Sequence, residues 1–329
     1  MIKKDLQLCG LGNGLVDVLT TISDADFSKL GLERGSEQLV DEAAQNALLE
    51  KLKAHKFSLI SGGSVANSVA LFSRLGGKAA LLTCIGDDRY GLHFKDEFER
   101  DGIELGSAPH FNHNTGTCVC LVTPDSERTM HVSLGAASKF SLDDVNEELI
   151  GRSEWLFIEG YVFGNPNGPA SINQAVKFAR QYRTKIALTF SESWVIAGFG
   201  DAVRDVIGQC DLVLANEKEA MTFSGKGDGD AAFAAMADSL PGVAVTLGPE
   251  GARLSYNGEQ AAIEAFPCDP VDLTGAGDAF AGGLLFGLNS GFPLAKAGSL
   301  GCRLATEVII RVGARLEGDV KRYLAEARS

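Results

Sequence analysis

Residues 61–91 read SGGSVANSVALFSRLGGKAALLTCIGDDRYG. From Ser64 to Leu75, the apolar side chains Val65, Val69, Phe72 and Leu75 recur at helical spacing, and Gly76-Gly77 stops the helix. The next run, KAALLTCIG, is short and almost wholly apolar, as a strand buried on both faces would be. GDDRYG then turns the chain into a second helix around His93 to Arg100. A helix, a buried strand and another helix in direct succession predict a parallel sheet covered on both faces.

The alternation continues in both directions. Downstream, WLFIEG (155–160), KIALTF (185–190), DLVLA (211–215) and GVAVTLG (242–248) are further strand candidates, separated by helical or loop segments. Upstream, Leu6 to Thr20 is apolar and β-branched, interrupted by Gly10, Gly12 and Gly14. Asp41 then caps a helix with Ala44, Leu48 and Leu52 on one face. Two stretches break the pattern, at about 15–40 and 115–137. The second contains TGTCVCLVTP and ERTMHVSLGA, extended segments with no long helix between them. Both are expected to leave the main sheet and form a small β-sheet lid. No repeat or Pro/Ser linker divides the chain, so residues 1–329 are expected to form one α/β domain carrying that lid.

Composition narrows the function classes. The 329 residues are 45% hydrophobic, and 43 acidic against 30 basic residues give a net charge of −13. Such a chain has no surplus of cations for nucleic acid or an anionic membrane, although a local phosphate site needs only backbone donors and one or two cations. The N-terminus lacks a secretory pattern and no apolar run is long enough to span a bilayer, so a cytosolic location is expected. The seven cysteines include no CxxC pair and are expected to be buried thiols in a reduced compartment. Cys118 and Cys120 would share a face if they lie on a strand. The five histidines form no recognised metal motif, and His110 and His113, in a polar run, are expected to be solvated.

The chemistry concentrates in residues 272–283, DLTGAGDAFAGG. A Gly275-Ala276-Gly277 turn entering an apolar helix exposes unpaired N–H groups at the positive end of the helix dipole, with small side chains that let an anion approach. Asp278, in the first turn, can take the proton of a hydroxyl that attacks a bound phosphoryl group. Read alone, the segment is equally a helix start with an acidic residue in its first turn. Other nucleotide motifs fit less well. There is no GxxxxGK[ST], and Leu15 stands where a dinucleotide fingerprint needs its third glycine.

Together, DLTGAGDAFAGG and the opening 61–91 stretch resemble the two signatures of the ribokinase-like (PfkB) carbohydrate and nucleoside kinases, in that family's order. ANEKEA (215–220), TLGPEGA (246–252) and RVGA (311–314) extend the resemblance over nearly the whole chain. It implies a Rossmann-like three-layer α/β/α domain with a β lid, and ATP as phosphoryl donor with Mg2+. Asp278 matches the base, and Gly275, Ala276 and Gly277 the anion hole. Asn216 and Glu219 match an NxxE element that organises magnesium through water. Thr246, Gly248 and Gly251 match the adenine-side loop. Asp272, with the segment around Gly313, matches a position that holds a monovalent cation in some relatives, which implies a possible K+ requirement.

Asn13, Asp17, Gly62, Gly63 and Asn67 match acceptor-binding positions, with Asp17 accepting from two vicinal hydroxyls. The opening residues and the lid stretches resemble the adenosine-kinase-like branch. Leu15, Leu39, Tyr161 and Phe163 are candidates to stack a purine or, equally, core residues. Arg128 is a candidate to reach a phosphate on lid closure or, equally, a solvated arginine. The implied acceptor is the hydroxymethyl group of a nucleoside, adenosine first, or of a free sugar such as ribose or fructose. A non-catalytic sensor is the alternative of a different class, and both monomer and homodimer fit the resemblance.

Overall fold

The computed structural model describes residues 2–107, 109–125 and 127–328. Its strands are β1 (Leu6–Leu11), β2 (Leu15–Thr21), β3 (Glu37–Leu39), β4 (Ser58–Gly62), β5 (Ala79–Leu82), β6 (Glu104–Leu105) and β7 (Gly116–Val122). They continue with β8 (Arg128–Ser133), β9 (Ser153–Glu159), β10 (Lys185–Thr189), β11 (Leu212–Asn216), β12 (Gly242–Thr246), β13 (Ala252–Tyr256) and β14 (Glu259–Ile263). Nine of them form one sheet in the order β14-β13-β12-β11-β10-β9-β1-β5-β6. All its pairings are parallel except β12 with β13 and β13 with β14. Apolar cores lie on both faces. One packs Val65, Val69 and Phe72 against Phe280, Leu284 and Leu300. The other gathers Ile158, Ile172, Val176, Val203 and Val206. The fold is thus α/β in three layers, as the alternation required.

A second sheet has the order β3-β8-β7-β2-β4. It contains both stretches expected to form the lid and recruits β4, which the sequence presents only as the approach to a helix. The apolar run from Leu6 is split between the sheets: β1 lies in the large sheet and β2 in the small one, with Gly12, Asn13 and Gly14 between them. The register of the small sheet sorts its faces. Val18, Val119 and His131 align on one side and are buried beneath the helices Glu42–Lys51 and Arg89–Arg100. On the other side a single row crosses all five strands: Ile60, Asp17, Cys118, Val132 and Leu39. Four of these five side chains carry no charge.

Candidate active site

The helix Ala276–Asn289 begins at Gly275, whose φ of 80° and lack of a Cβ are both required. A side chain there would lie 2.6 Å from the carbonyl oxygen of Ala314. No side chain caps this helix, so its leading N–H groups point out of its N-terminal end. Asp278 sits in its first turn. Its Oδ1 accepts from the Ser64 hydroxyl at 2.6 Å and its Oδ2 from the Asn67 amide at 2.9 Å. Burial pushes its carboxyl up to about 6, with Ser64, Asn67 and Arg315 opposing the shift.

The five sequence-predicted acceptor positions lie around this aspartate's neighbours, and Asn67 bonds it directly. Gly63, at φ 105°, lets the chain turn into the helix Ser64–Arg74, because a Cβ would strike the Asn13 carbonyl oxygen at 2.0 Å. Gly62 lies beside the Asp17 carboxylate, 3.1 Å from where its own Cβ would be. Asp17 is likewise pushed up to about 6, by burial and, more weakly, by the charge of Asp278, against the pull of Arg315 and Arg128. Asn13 and Asn67 have their amide groups engaged within the protein. Asn13 donates to Glu159 at 3.2 Å and accepts from Asn165 at 2.9 Å, while Asn67 accepts from the Arg315 guanidinium at 3.0 Å. Both therefore brace the cleft floor.

Two residues in that floor were not singled out from the sequence. Glu159, at the end of β9, is 1% exposed and accepts from the Val65 N–H at 3.0 Å; burial, chiefly, pushes its carboxyl up to about 7. Its signal was the acid closing the otherwise apolar WLFIE. Arg315 is buried between Asn67 and Glu97, which it meets at 3.1 Å, with its guanidinium 4.8 Å from the Phe98 ring centre. It follows RVGA directly, and its sequence neighbourhood resembles a solvated turn.

Of the positions matched to nucleotide binding, Asn216 and Thr246 are register partners at the ends of β11 and β12. Gly248 and Gly251 bracket the next short turn. Asn216 and Glu219 form a reciprocal capping box on the helix Glu217–Ser224. Asn216 Oδ1 accepts from the Glu219 N–H at 2.9 Å, and the Glu219 carboxylate accepts from the Asn216 backbone at 3.0 Å and its amide at 2.7 Å. Burial first, and the charge of Glu192, push Glu219 up to about 7. A buried carboxyl facing a second carboxylate fits a divalent cation held through water.

Asp272 does not fit the monovalent-cation role. Its Oδ1 accepts from the Thr274 N–H at 3.1 Å and hydroxyl at 2.7 Å, and its Oδ2 from the Gly313 N–H and from Arg128, both at 2.8 Å. Burial would raise this carboxyl, yet those donors hold it below the ordinary carboxylate range. Arg128 comes from β8, so this ion pair joins the lid to the anion-hole loop, and a protein cation stands beside Asp272. Of the purine candidates, Phe163 is 1% exposed in the far core and cannot stack a ligand, while Tyr161 packs against Trp194 with ring centres 6.1 Å apart. Leu15 and Leu39 lie on the lid, Leu39 being 73% exposed on the row that contains Asp17.

Among the described residues, no helix is long and apolar enough to cross a membrane. The pfkB family carbohydrate kinase profile matches residues 39–319. An adenosine kinase of Schizophyllum commune is 28% identical, the alignment covering 93% of this chain and 96% of that one. A crystal structure of a probable sugar kinase from Rhizobium etli superposes with a TM-score of 0.87 at 27% identity, covering 99% of each chain. The adenosine kinase of Sinorhizobium meliloti does so with a TM-score of 0.86 at 28% identity, covering 98% of this chain and 99% of that one. A matched profile over most of the chain, on this fold, decides the assignment: the chain belongs to the pfkB family, a phosphotransferase acting on an alcohol group of a nucleoside or sugar.

Proposed function

We propose that this protein transfers the γ-phosphoryl group of ATP to the hydroxymethyl group of a nucleoside, adenosine foremost. The observation that carries this reading is the lid row Ile60, Asp17, Cys118, Val132 and Leu39: one carboxylate within an uncharged, largely apolar face. A nucleoside needs that combination, because Asp17 accepts from the two ribose hydroxyls while the apolar surface beside it covers the base. A free sugar, polar all round, would leave most of that face without a partner. The adenosine kinases among the relatives support the same choice, while the equally similar probable sugar kinase keeps a sugar acceptor as the second reading.

In the proposed reaction the acceptor lies under the lid with its CH2OH at Asp278. The nucleotide lies along Asn216, Thr246, Gly248 and Gly251, with its terminal phosphate at Gly275, Ala276 and Gly277. Glu219 and Glu192 would hold Mg2+ through water, where it would neutralise phosphate charge. Asp278 accepts the hydroxyl proton as the oxygen attacks the γ-phosphorus, and the open helix terminus stabilises the negative charge. A carboxyl near 6 is ionised at neutral pH and still basic enough for the task. Lid closure excludes water as a competing acceptor.

The test is ADP release from Mg-ATP with adenosine, guanosine, inosine, cytidine, ribose or fructose, each repeated with Asp278→Asn. Aspartate-dependent turnover confined to adenosine bears the reading out. Turnover on ribose or fructose alone replaces it with the sugar-kinase reading, and silence with every acceptor removes the catalytic assignment.

A further inference from the structure

Away from the cleft, on the other face of the large sheet, three side chains with no part in the reaction converge. Cys84, two residues past the end of β5, is fully buried. His110 Nε2 lies 3.2 Å from Cys84 Sγ and 2.9 Å from Asp144 Oδ1, and the three ligand atoms all fall within 4.8 Å of one another. His110 is thus held at a fixed place, against its expected solvation.

We propose that Cys84, His110 and Asp144 form a zinc-type metal site that fastens both roots of the β7–β8 lid hairpin to the end of β5. The donor set is one sulfur, one imidazole nitrogen and one carboxylate oxygen, the mixture that suits tetrahedral zinc with a fourth position left for water. Bond lengths of about 2.0–2.3 Å give tetrahedral edges of about 3.3–3.5 Å, so the two separations from His110 need to open by only a few tenths of an ångström, with Cys84 Sγ and Asp144 Oδ1 within 4.8 Å of each other. A single Nε2 proton can point at only one of its two neighbours, whereas a cation serves all three donors together. On binding, the thiol proton leaves to solvent, and thiolate plus carboxylate balance the two positive charges.

The ligands are oriented by a second layer of bonds, as metal ligands usually are. Asp144 Oδ2 accepts from the Ser141 N–H and hydroxyl, both at 2.9 Å, which leaves Oδ1 facing the histidine. The His110 backbone N–H donates to the Ile85 carbonyl at 2.8 Å, beside the bridge between Gly86 and His110. Placement gives the site its consequence. His110 precedes β7, Asp144 follows β8, and Cys84 belongs to the large sheet. A metal there would stiffen the base of the hairpin that carries Cys118, Val132 and Arg128 over the cleft.

The experiment is titration of metal-free protein with Co2+, read by thiolate-to-cobalt charge-transfer absorption, and with Zn2+, read by thermal unfolding. Both use a Cys268→Ser background to remove the exposed thiol. One equivalent of cobalt with a thiolate band, abolished in Cys84→Ser, is expected. His110→Asn, at a position whose side chain is 25% exposed, should fold normally and lose both the band and the zinc-induced rise in melting temperature. Ser141→Ala, which frees Asp144, should weaken cobalt binding by about 10–100-fold. No thiolate band at one equivalent, or a band that survives in Cys84→Ser or in His110→Asn, overturns the proposal.

Discussion

Two helix N-termini carry the motifs proposed to meet the nucleotide, and they are finished in opposite ways. The helix Glu217–Ser224 is closed on itself: Asn216 and Glu219 satisfy each other's backbone donors in a reciprocal box. The helix Ala276–Asn289 has no side-chain cap, only a glycine in the left-handed region at its start. A terminus that satisfies its own N–H groups has little left for an anion, whereas one left open is an anion site. The motifs at 216–219 and 275–278 both carry family resemblance, but only the second has no side-chain cap, its Ala276 N–H donating to the Leu273 carbonyl at 3.3 Å. The first supplies buried negative charge beside Glu192 instead.

Removing the proposed base, Asp278, should have the largest effect. Asp278→Asn is expected to lower turnover by about 10²–10⁴-fold with ATP binding retained, measured by single-turnover transfer and nucleotide titration. The fold tolerates the change, since an asparagine oxygen can accept from Asn67 while its NH2 donates to the Ser64 hydroxyl. A folded carboxyl raised from 3.8 to about 6 favours its protonated form, so its charge at pH 7 costs stability that is regained as the pH falls below 6. The neutral variant should therefore melt higher than the parent in neutral buffer, and an unchanged or lower melting temperature would contradict that sign.

The same carboxyl predicts a rate that falls as the pH drops through about 6. Arg315 opposes the upward shift at both Asp278 and Asp17, so Arg315→Met should move that acid limb toward neutral pH. A limb that stays in place would leave Arg315 a packing role alone.

Stability then separates the termini more finely. Gly275→Ala forces a side chain into a left-handed backbone and onto Ala314, costing about 1–2 kcal/mol from the backbone alone and disturbing transfer as well. Asn216→Ala removes a cap for about 1 kcal/mol and should leave transfer measurable. If Asn216→Ala were instead as inactive as Asp278→Asn, the capped terminus would itself be a phosphate site. The smallest effect is expected from exchanging sodium for potassium, because the Asp272 oxygens are already occupied by Arg128, Gly313 and Thr274. A clear potassium requirement would place the cation elsewhere or require the Arg128 pair to open.

Much of this molecule was readable from local patterns. Buried strands such as KIALTF and DLVLA declared themselves by length and apolarity, and GAGD by its small residues at a helix start. Three features escaped because their causes are not local. Ser58–Gly62 reads as the lead-in to a helix, yet pairs with β2 to extend the lid. The β13–β14 hairpin carries an Asn257-Gly258 turn signal, both residues at positive φ, but its antiparallel attachment depends on the sheet edge it meets. Arg315 has no periodicity to betray it, and only the folded chain shows its guanidinium beneath Asn67. Asp272 was legible as a special acid while its partner was not, because Arg128 arrives from the lid 144 residues away.

The bonds around Asp278 also set a timetable for biosynthesis. Ser64 and Asn67 lie 214 and 211 residues before Asp278, and the guanidinium that fixes Asn67 lies 248 residues after it. A nascent chain that has emerged only as far as β14 already owns every strand of both sheets but lacks Asp278, the Gly275–Gly277 turn and Arg315. Partly made protein therefore lacks the groups proposed to carry the transfer, and these come together only after the late helices dock on early ones.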